Sequence, residues 1–313
     1  MVSMEVDEGV QSTNDDASQC KRCAVHLGYW DDKYIYMFVR SGDRKAPEIN
    51  RGYFARTRGI RILVDKFLKK TGAACQIVNF GAGFDTLYWQ LKEQRISVAN
   101  YIELDFPAVT SRKCYYIKRN KTLLNEIHNE DGEVRLSATD MHAGNYHLVG
   151  VDLRNLSEVE QKLMQSEINT ELPTLFISEC VLVYIESTFV LRLLSWVSSK
   201  FPRALYINYE QVNMDDKFSS VMLNNLRARG CPLAGVDACQ SLETQRQRFL
   251  DAKWDGAKAW NMVQVYDAIP ASERQRIEKI EFLDEHELLL QLFQHYCISV
   301  GWKSELFADI DIT

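Results

Sequence analysis

Four acidic side chains, Glu103, Asp105, Asp152 and Glu179, each fall at or near the end of an apolar run. A further apolar run, before them, ends in the glycine turn Phe80-Gly81-Ala82-Gly83-Phe84. An acid at such an edge accepts hydrogen bonds from the hydroxyl, amino or ammonium groups of a ligand, whereas deep burial without a partner would be costly. Gly81 and Gly83 lack Cβ, so the backbone turns sharply and a ligand can approach it closely. The third glycine of the dinucleotide fingerprint is missing, because Phe84, Asp85 and Thr86 follow. The turn therefore suits packing against an amino-acid moiety better than cradling a pyrophosphate. A purely structural turn between strand and helix is the competing reading.

The acids differ in what they could hold. Glu103 and Asp105 lie about 20 residues past the turn, where a carboxylate accepts from both hydroxyls of a ribose. Two apart on a strand, they share a face, and composition leaves open which one binds. Asp152, followed by Leu153, suits an adenine amino group with the Leu packed on the ring; the alternative is a capping Asp before the helix at Ser157. Glu179 sits inside the apolar stretch 176–184 and needs a partner, either a ligand ammonium or a structural Arg. Its position at a strand's carboxyl edge favours the ligand.

Alternating strands and helices must position these groups. Apolar runs at 75–80, 100–104, 148–153, 174–180 and 204–209 read as parallel strands. A helical stripe begins at Ile60 and ends at Gly72, a capping-box sequence opens a helix at Ser157, and 189–197 is a further helix. Residues 211–268 break the rhythm as a helical insertion, with helices at 218–229 and 243–250 around a loop at 230–235. The sheet resumes at 279–283, a helix covers 285–292, and a strand at 296–302 completes it. The expected fold is α/β, a doubly wound seven-stranded Rossmann-like methyltransferase sheet with an inserted helical lid and an N-terminal helical segment. The late helix and terminal strand, with the two-glycine turn, select S-adenosylmethionine over a dinucleotide.

A net charge of −6 over 313 residues leaves no basic footprint for nucleic acid, and no apolar run is long enough to span a bilayer. Residues 1–18 read as a flexible acidic tail ahead of one domain over 19–313, in which 19–55 and 211–268 form a lid and docking surface. Eight scattered cysteines, the lone Cys20-Lys21-Arg22-Cys23 included, lack the spacing of a zinc site and suit reduced thiols in the cytoplasm. A monomer is the default.

Residues 50–56, 79–86, 103–107, 179–184 and 208–213 together resemble the leucine carboxyl methyltransferase family, over about residues 20–302. The resemblance implies S-adenosylmethionine-dependent methylation of the C-terminal leucine α-carboxylate of the protein phosphatase 2A catalytic subunit, and through it regulation of holoenzyme assembly. It implies that Arg56 grips the methionyl carboxylate while Gly81, with Gly83 in the same turn, packs on the cofactor. It gives Asp105 the ribose, Asp152 and Leu153 the adenine, Glu179 the rest of the cofactor, and Lys21 a place in the pocket. Phe80 and Phe84 replace the Leu and Met of the family pattern, apolar exchanges that leave binding intact.

A terminal carboxylate is ionised at neutral pH and needs no general base, consistent with six dispersed His residues. Catalysis then rests on positioning and removal of water, with Arg56 orienting and Tyr184, Gln211 and Asn213 lining the acceptor channel. For Tyr184 a place in the core is the less favoured alternative, given its apolar neighbours. Competing functions are a methyltransferase for another peptide or small acid, and a non-catalytic phosphatase-binding module. A tRNA-modifying relative carries a kelch-type extension for which no room is expected after Trp302.

Overall fold

The five apolar runs all form parallel strands in the computed structural model of the chain, which describes residues 2–127 and 134–313, with side chains from residue 6. In chain order the strands are β1 (Gln76–Phe80), β2 (Asn100–Asp105), β3 (Arg135–Leu136), β4 (Met141–Ala143), β5 (Tyr146–Gly150), β6 (Thr174–Glu179), β7 (Ala204–Gln211), β8 (Gly256–Asn261) and β9 (Tyr296–Trp302). They form one sheet in the order β3-β4-β5-β2-β1-β6-β7-β9-β8. Strands β5, β2, β1, β6 and β7 run parallel, and β9 inserts antiparallel between β7 and β8. Six of the seven expected strands are present, the antiparallel β9 among them, and the short β3–β4 pair extends the edge beyond β5.

The helices are α1 (Val2–His26), α2 (Ile35–Phe38), α3 (Pro47–Thr71), α4 (Leu87–Glu93), α5 (Pro107–Arg119), α6 (Lys121–Ile127) and α7 (Leu156–Gln165). After them come α8 (Ser187–Lys200), α9 (Lys217–Ala228), α10 (Leu242–Asp251), α11 (Met262–Ala268), α12 (Ala271–Glu278) and α13 (His286–Gln294). Because strand side chains alternate, Ile77 joins the core under α3 to α5 while Val78 joins the opposite core under α7, α8 and α10. Burial on both faces explains the uninterrupted apolar reading of β1 and β6. Among the described residues no helix is long and apolar enough to cross a membrane.

Several boundaries differ from expectation for identifiable reasons. The acidic tail is the first part of α1, because Val6, Val10, Thr13 and Ala17 recur at helical spacing and face the rest of the protein. Three of its acids are paired: Asp7 with Arg154 at 2.8 Å, Asp15 with Arg112 at 2.7 Å, and Asp16 with Arg229. α3 begins at Pro47, whose ring is tolerated in the first turn, rather than at Ile60. The third strand ends at Gly150, so Asp152 and Leu153 follow it in a loop. The cap of α7 is Asn155, which accepts from the Glu158 amide, in place of Ser157.

The sixth strand of the seven is β8, within the supposed helical insertion, and 279–283 is a non-strand connection between α12 and α13. There Glu281 turns inward to accept from Tyr29 and Asn50, while Phe282 stands exposed. Within 211–268 only α9 and the following loop overhang the sheet edge; α10 packs on β8 and β9.

Candidate active site

A cavity of about 960 Å³ opens at the carboxyl ends of the parallel strands, where the direction of strand succession reverses between β1 and β6. Lys21, Arg56, Gly81, Gly83, Asp105, Asp152, Leu153, Glu179 and Tyr184 all line it, although they come from six separated stretches of sequence. Gln211 lines it as well. Asn213 does not, and it corrects the expected channel: it has a φ of 57° and its amide donates to the Gln294 carbonyl at 2.8 Å.

The turn after β1 is held by β2. The amides of Gly81 and Ala82 both donate to the Leu104 carbonyl, at 2.7 and 3.1 Å, and the Gly83 amide donates to Asp105 Oδ2 at 2.7 Å. Gly81 and Gly83 have φ of 63° and 51°, a region that a side chain would strain. A Cβ on Gly81 would also overlap Val181, and one on Gly83 would overlap the Asn14 carboxamide. The space each glycine leaves is thus taken by a neighbouring side chain, an outcome different from direct approach of a ligand.

The choice between Glu103 and Asp105 is resolved by their surroundings. Glu103 is fully buried, 2.6 Å from Lys113 Nζ and accepting from Tyr146 at 2.8 Å, and it is absent from the cavity wall. Asp105, the last residue of β2, faces the cavity. Burial pushes its carboxyl up to about 6, against the opposing effect of the Gly83 and Phe106 amides.

Asp152 is no helix cap. It pairs with Arg154 at 2.6 Å, and the same guanidinium meets Asp7 of α1. Beside it Leu153 offers an apolar surface to the cavity.

Glu179 has two partners from the chain itself, the Nε of Arg56 and Lys21 Nζ at 3.0 Å. The sequence favoured a ligand ammonium over a structural Arg, and the structure supplies Arg and Lys together. Burial alone would raise the Glu179 carboxyl, yet Arg56 and Lys21 outweigh it and hold the group at about 2. Two cations against one anion leave the cluster with one net positive charge, suited to a carboxylate. The Arg56 guanidinium lies 4.6 Å from the Tyr209 ring centroid and 5.2 Å from that of Tyr53, so aromatic faces fix its plane.

Cys180, next in the chain, has a φ of 56° and donates its amide to the Tyr209 carbonyl at 2.7 Å. This left-handed residue turns the chain from β6 into the short helical turn Leu182–Tyr184. Tyr184 reaches the cavity with its phenol pushed above its ordinary range by burial, so it is a neutral donor at working pH and not a base.

Sequence reasoning missed the wall made by α1, which includes Val6, Val10, Thr13 and Asn14, and the aromatic residues Tyr53 and Tyr296. The recurrence of apolar residues in α1 was a usable signal, masked by the surrounding acids. The two tyrosines carried none, since only the fold brings α3 and β9 together at this edge.

The family model described as "Leucine carboxyl methyltransferase" matches residues 9–198. "Leucine carboxyl methyltransferase 1" of Rattus norvegicus is 50% identical over 297 residues, 93% of this chain and 89% of that protein. The "Leucine carboxyl methyltransferase 1 homolog" of Arabidopsis thaliana is 36% identical, over 97% of this chain and 92% of that one. "tRNA wybutosine-synthesizing protein 4" of Homo sapiens is 37% identical over 95% of this chain, which matches 44% of that longer protein.

Proposed function

Because the chain belongs to the leucine carboxyl methyltransferase family, we propose that it methylates the C-terminal leucine α-carboxylate of the protein phosphatase 2A catalytic subunit. The protein is a carboxyl methyltransferase, and its methyl donor is S-adenosylmethionine. The observation that carries the site assignment is the convergence on one cavity of every residue that the family pattern would put at the donor. The cavity fits that donor in its chemistry. The Lys21–Arg56–Glu179 cluster, with its excess positive charge, takes the methionyl carboxylate; Asp105 takes the ribose hydroxyls; Asp152 and Leu153 take the adenine.

When bound, S-adenosylmethionine supplies an electrophilic methyl group, and the acceptor carboxylate oxygen bonds to it as the carbon–sulfur pair returns to sulfur. The chain's task is to hold the acceptor in line and dry. A terminal carboxylate with a pKa of about 3.5 is already ionised, so no side chain need remove a proton. Arg56 orients the donor through its methionyl carboxylate, and Tyr184 donates to the acceptor without changing its own protonation. Such positioning is worth up to ~7–11 kcal/mol of barrier in favourable cases. Esterification removes the terminal negative charge of the phosphatase, which is how it would alter assembly with other subunits.

Label from the methyl donor is expected to reach the intact phosphatase and to be lost when its terminal leucine is deleted. Leucine-independent transfer would overturn the assignment. The overhang of α9 and the following loop, with α1 and the start of α3, is the proposed docking surface for the folded phosphatase. On that basis the isolated tail peptide is a poorer acceptor than the whole protein. All eight cysteines are free thiols, in keeping with a cytoplasmic enzyme.

Two of the donor-binding carboxylates give a pH signature. Glu179, held at about 2, stays ionised, whereas Asp105 at about 6 gains a proton as the pH falls through 6. A protonated Asp105 cannot accept from both ribose hydroxyls, so donor affinity is expected to weaken below pH 6 and to plateau above it. Calorimetric titration from pH 5 to 8 measures this, and Asp105→Asn should bind weakly with the inflection gone.

A further inference from the structure

Asn14 on α1 has half of its carboxamide committed and half free. Its Oδ1 accepts from the Phe84 amide at 2.9 Å, with the Ser18 hydroxyl at 3.5 Å on the same oxygen. Since a backbone amide can only donate, the orientation of the carboxamide is fixed: oxygen toward Phe84, nitrogen away from it. That nitrogen, Nδ2, is buried and meets no acceptor among the described residues. Asn14 nonetheless lines the cavity. A buried N–H without a partner is destabilising, and native proteins rarely leave one so.

The neighbouring bonds indicate which part of a ligand it faces. Successive amides of the glycine turn are taken by two side chains, Gly83 by Asp105 and Phe84 by Asn14. Gly83 is the residue that admits the carboxamide, because a Cβ there would overlap its oxygen. Asn14 therefore flanks the turn next to the carboxylate that the proposed reading gives to the ribose. Asp105 offers only acceptors when ionised, and Nδ2 offers only donors.

We propose that Asn14 is a further donor-binding residue, its Nδ2 giving a hydrogen bond to a ribose oxygen of bound S-adenosylmethionine. This rests on reading the cavity as the S-adenosylmethionine site. It also makes α1, the segment read from sequence as a loose tail, a working wall of that site. Asp105 and Asn14 then recognise the ribose as a complementary acceptor and donor pair.

Asn14→Asp separates the two halves of the carboxamide. It retains an oxygen for the Phe84 amide and replaces the free donor by an acceptor. The added negative charge would attract a sulfonium ligand but, close to Asp105, would also push that carboxyl up, so N14D is read together with N14A, which adds no charge. In titrations with S-adenosylmethionine, N14D is expected to bind at least about tenfold more weakly than the unaltered protein. Its ligand-free melting temperature should be unchanged. N14A should bind weakly too.

Binding by N14D equal to the unaltered protein, with N14A weakened, would reduce Asn14 to a structural clasp on Phe84 and overturn the proposal. Should N14D lower the ligand-free melting temperature, N14A carries the test with S-adenosylhomocysteine and its 2′- and 3′-deoxy analogues. Coupling between the substitution and one hydroxyl supports the proposal, and additive losses for both analogues overturn it. No binding by the unaltered protein would instead remove the donor-site reading itself.

Discussion

Arg56→Lys is expected to lower kcat/KM for methyl transfer by about 10- to 100-fold, the scale of one lost hydrogen bond to a charged group. The guanidinium bonds the Glu179 carboxylate through Nε, approaches its carbonyl through Nη2 at 3.5 Å, and lies against Tyr209 and Tyr53. A lysine ammonium keeps the charge but has neither the plane for that stacking nor the fork for a carboxylate. Arg56→Ala should be worse, because it also removes a partner of the buried Glu179. Breaking a buried pair is destabilising by about 3–5 kcal/mol, and the remaining Lys21 contact at 3.0 Å puts this case at the low end. Steady-state kinetics with a denaturation midpoint separates the two effects. A folded R56K enzyme with unaltered kcat/KM would remove Arg56 from the proposed machinery.

Lys113→Met is expected to destabilise the protein by about 3–5 kcal/mol, since it strips the cation from a pair in which both side chains are fully buried. Lys113 Nζ is 2.6 Å from Glu103 and donates to the Asp85 carbonyl at 2.8 Å, so it ties α5 to β2 and to the glycine turn. Burial already pushes the Glu103 carboxyl up to about 7 against the pull of Lys113, and loss of the lysine raises it further. A carboxyl whose folded pKa exceeds its unfolded value binds more protons in the folded state, so stability falls as the pH rises from the unfolded toward the folded pKa. The K113M deficit should therefore be larger at pH 8 than at pH 5 in urea titrations. Glu103→Gln added to K113M should recover much of it, because no buried charge then remains. Equal deficits at the two pH values would contradict the account of Glu103.

Strands β1, β2, β6, β7 and β9 were legible because burial on both faces, or against a long partner, demands unbroken apolar residues. β8 was not, since Gly256-Ala-Lys-Ala-Trp-Asn261 has no β-branched residue and owes its extension to pairing with β9. Its glycine is there because the Trp302 ring lies where a Cβ would be. α1 was read as a tail because composition counts its acids and cannot see the arginines Arg154, Arg112 and Arg229 that meet them from distant segments.

The sequence by itself determined the doubly wound sheet, the two-glycine turn and the acids that close its strands, because periodicity and glycine placement are local properties of the chain. Its motifs also carried the family resemblance. The tertiary structure alone decided which acids face the cavity. Glu103 and Asp105 have similar neighbours in sequence, yet inside the core the first is paired with Lys113 and accepts from Tyr146, while the second stands at the cavity. It also decided that Glu179 is held by Arg56 and Lys21, and that Asn14 reaches the glycine turn. A carboxylate's role depends on the charges and donors within a few ångströms of it, and those come from residues far away along the chain.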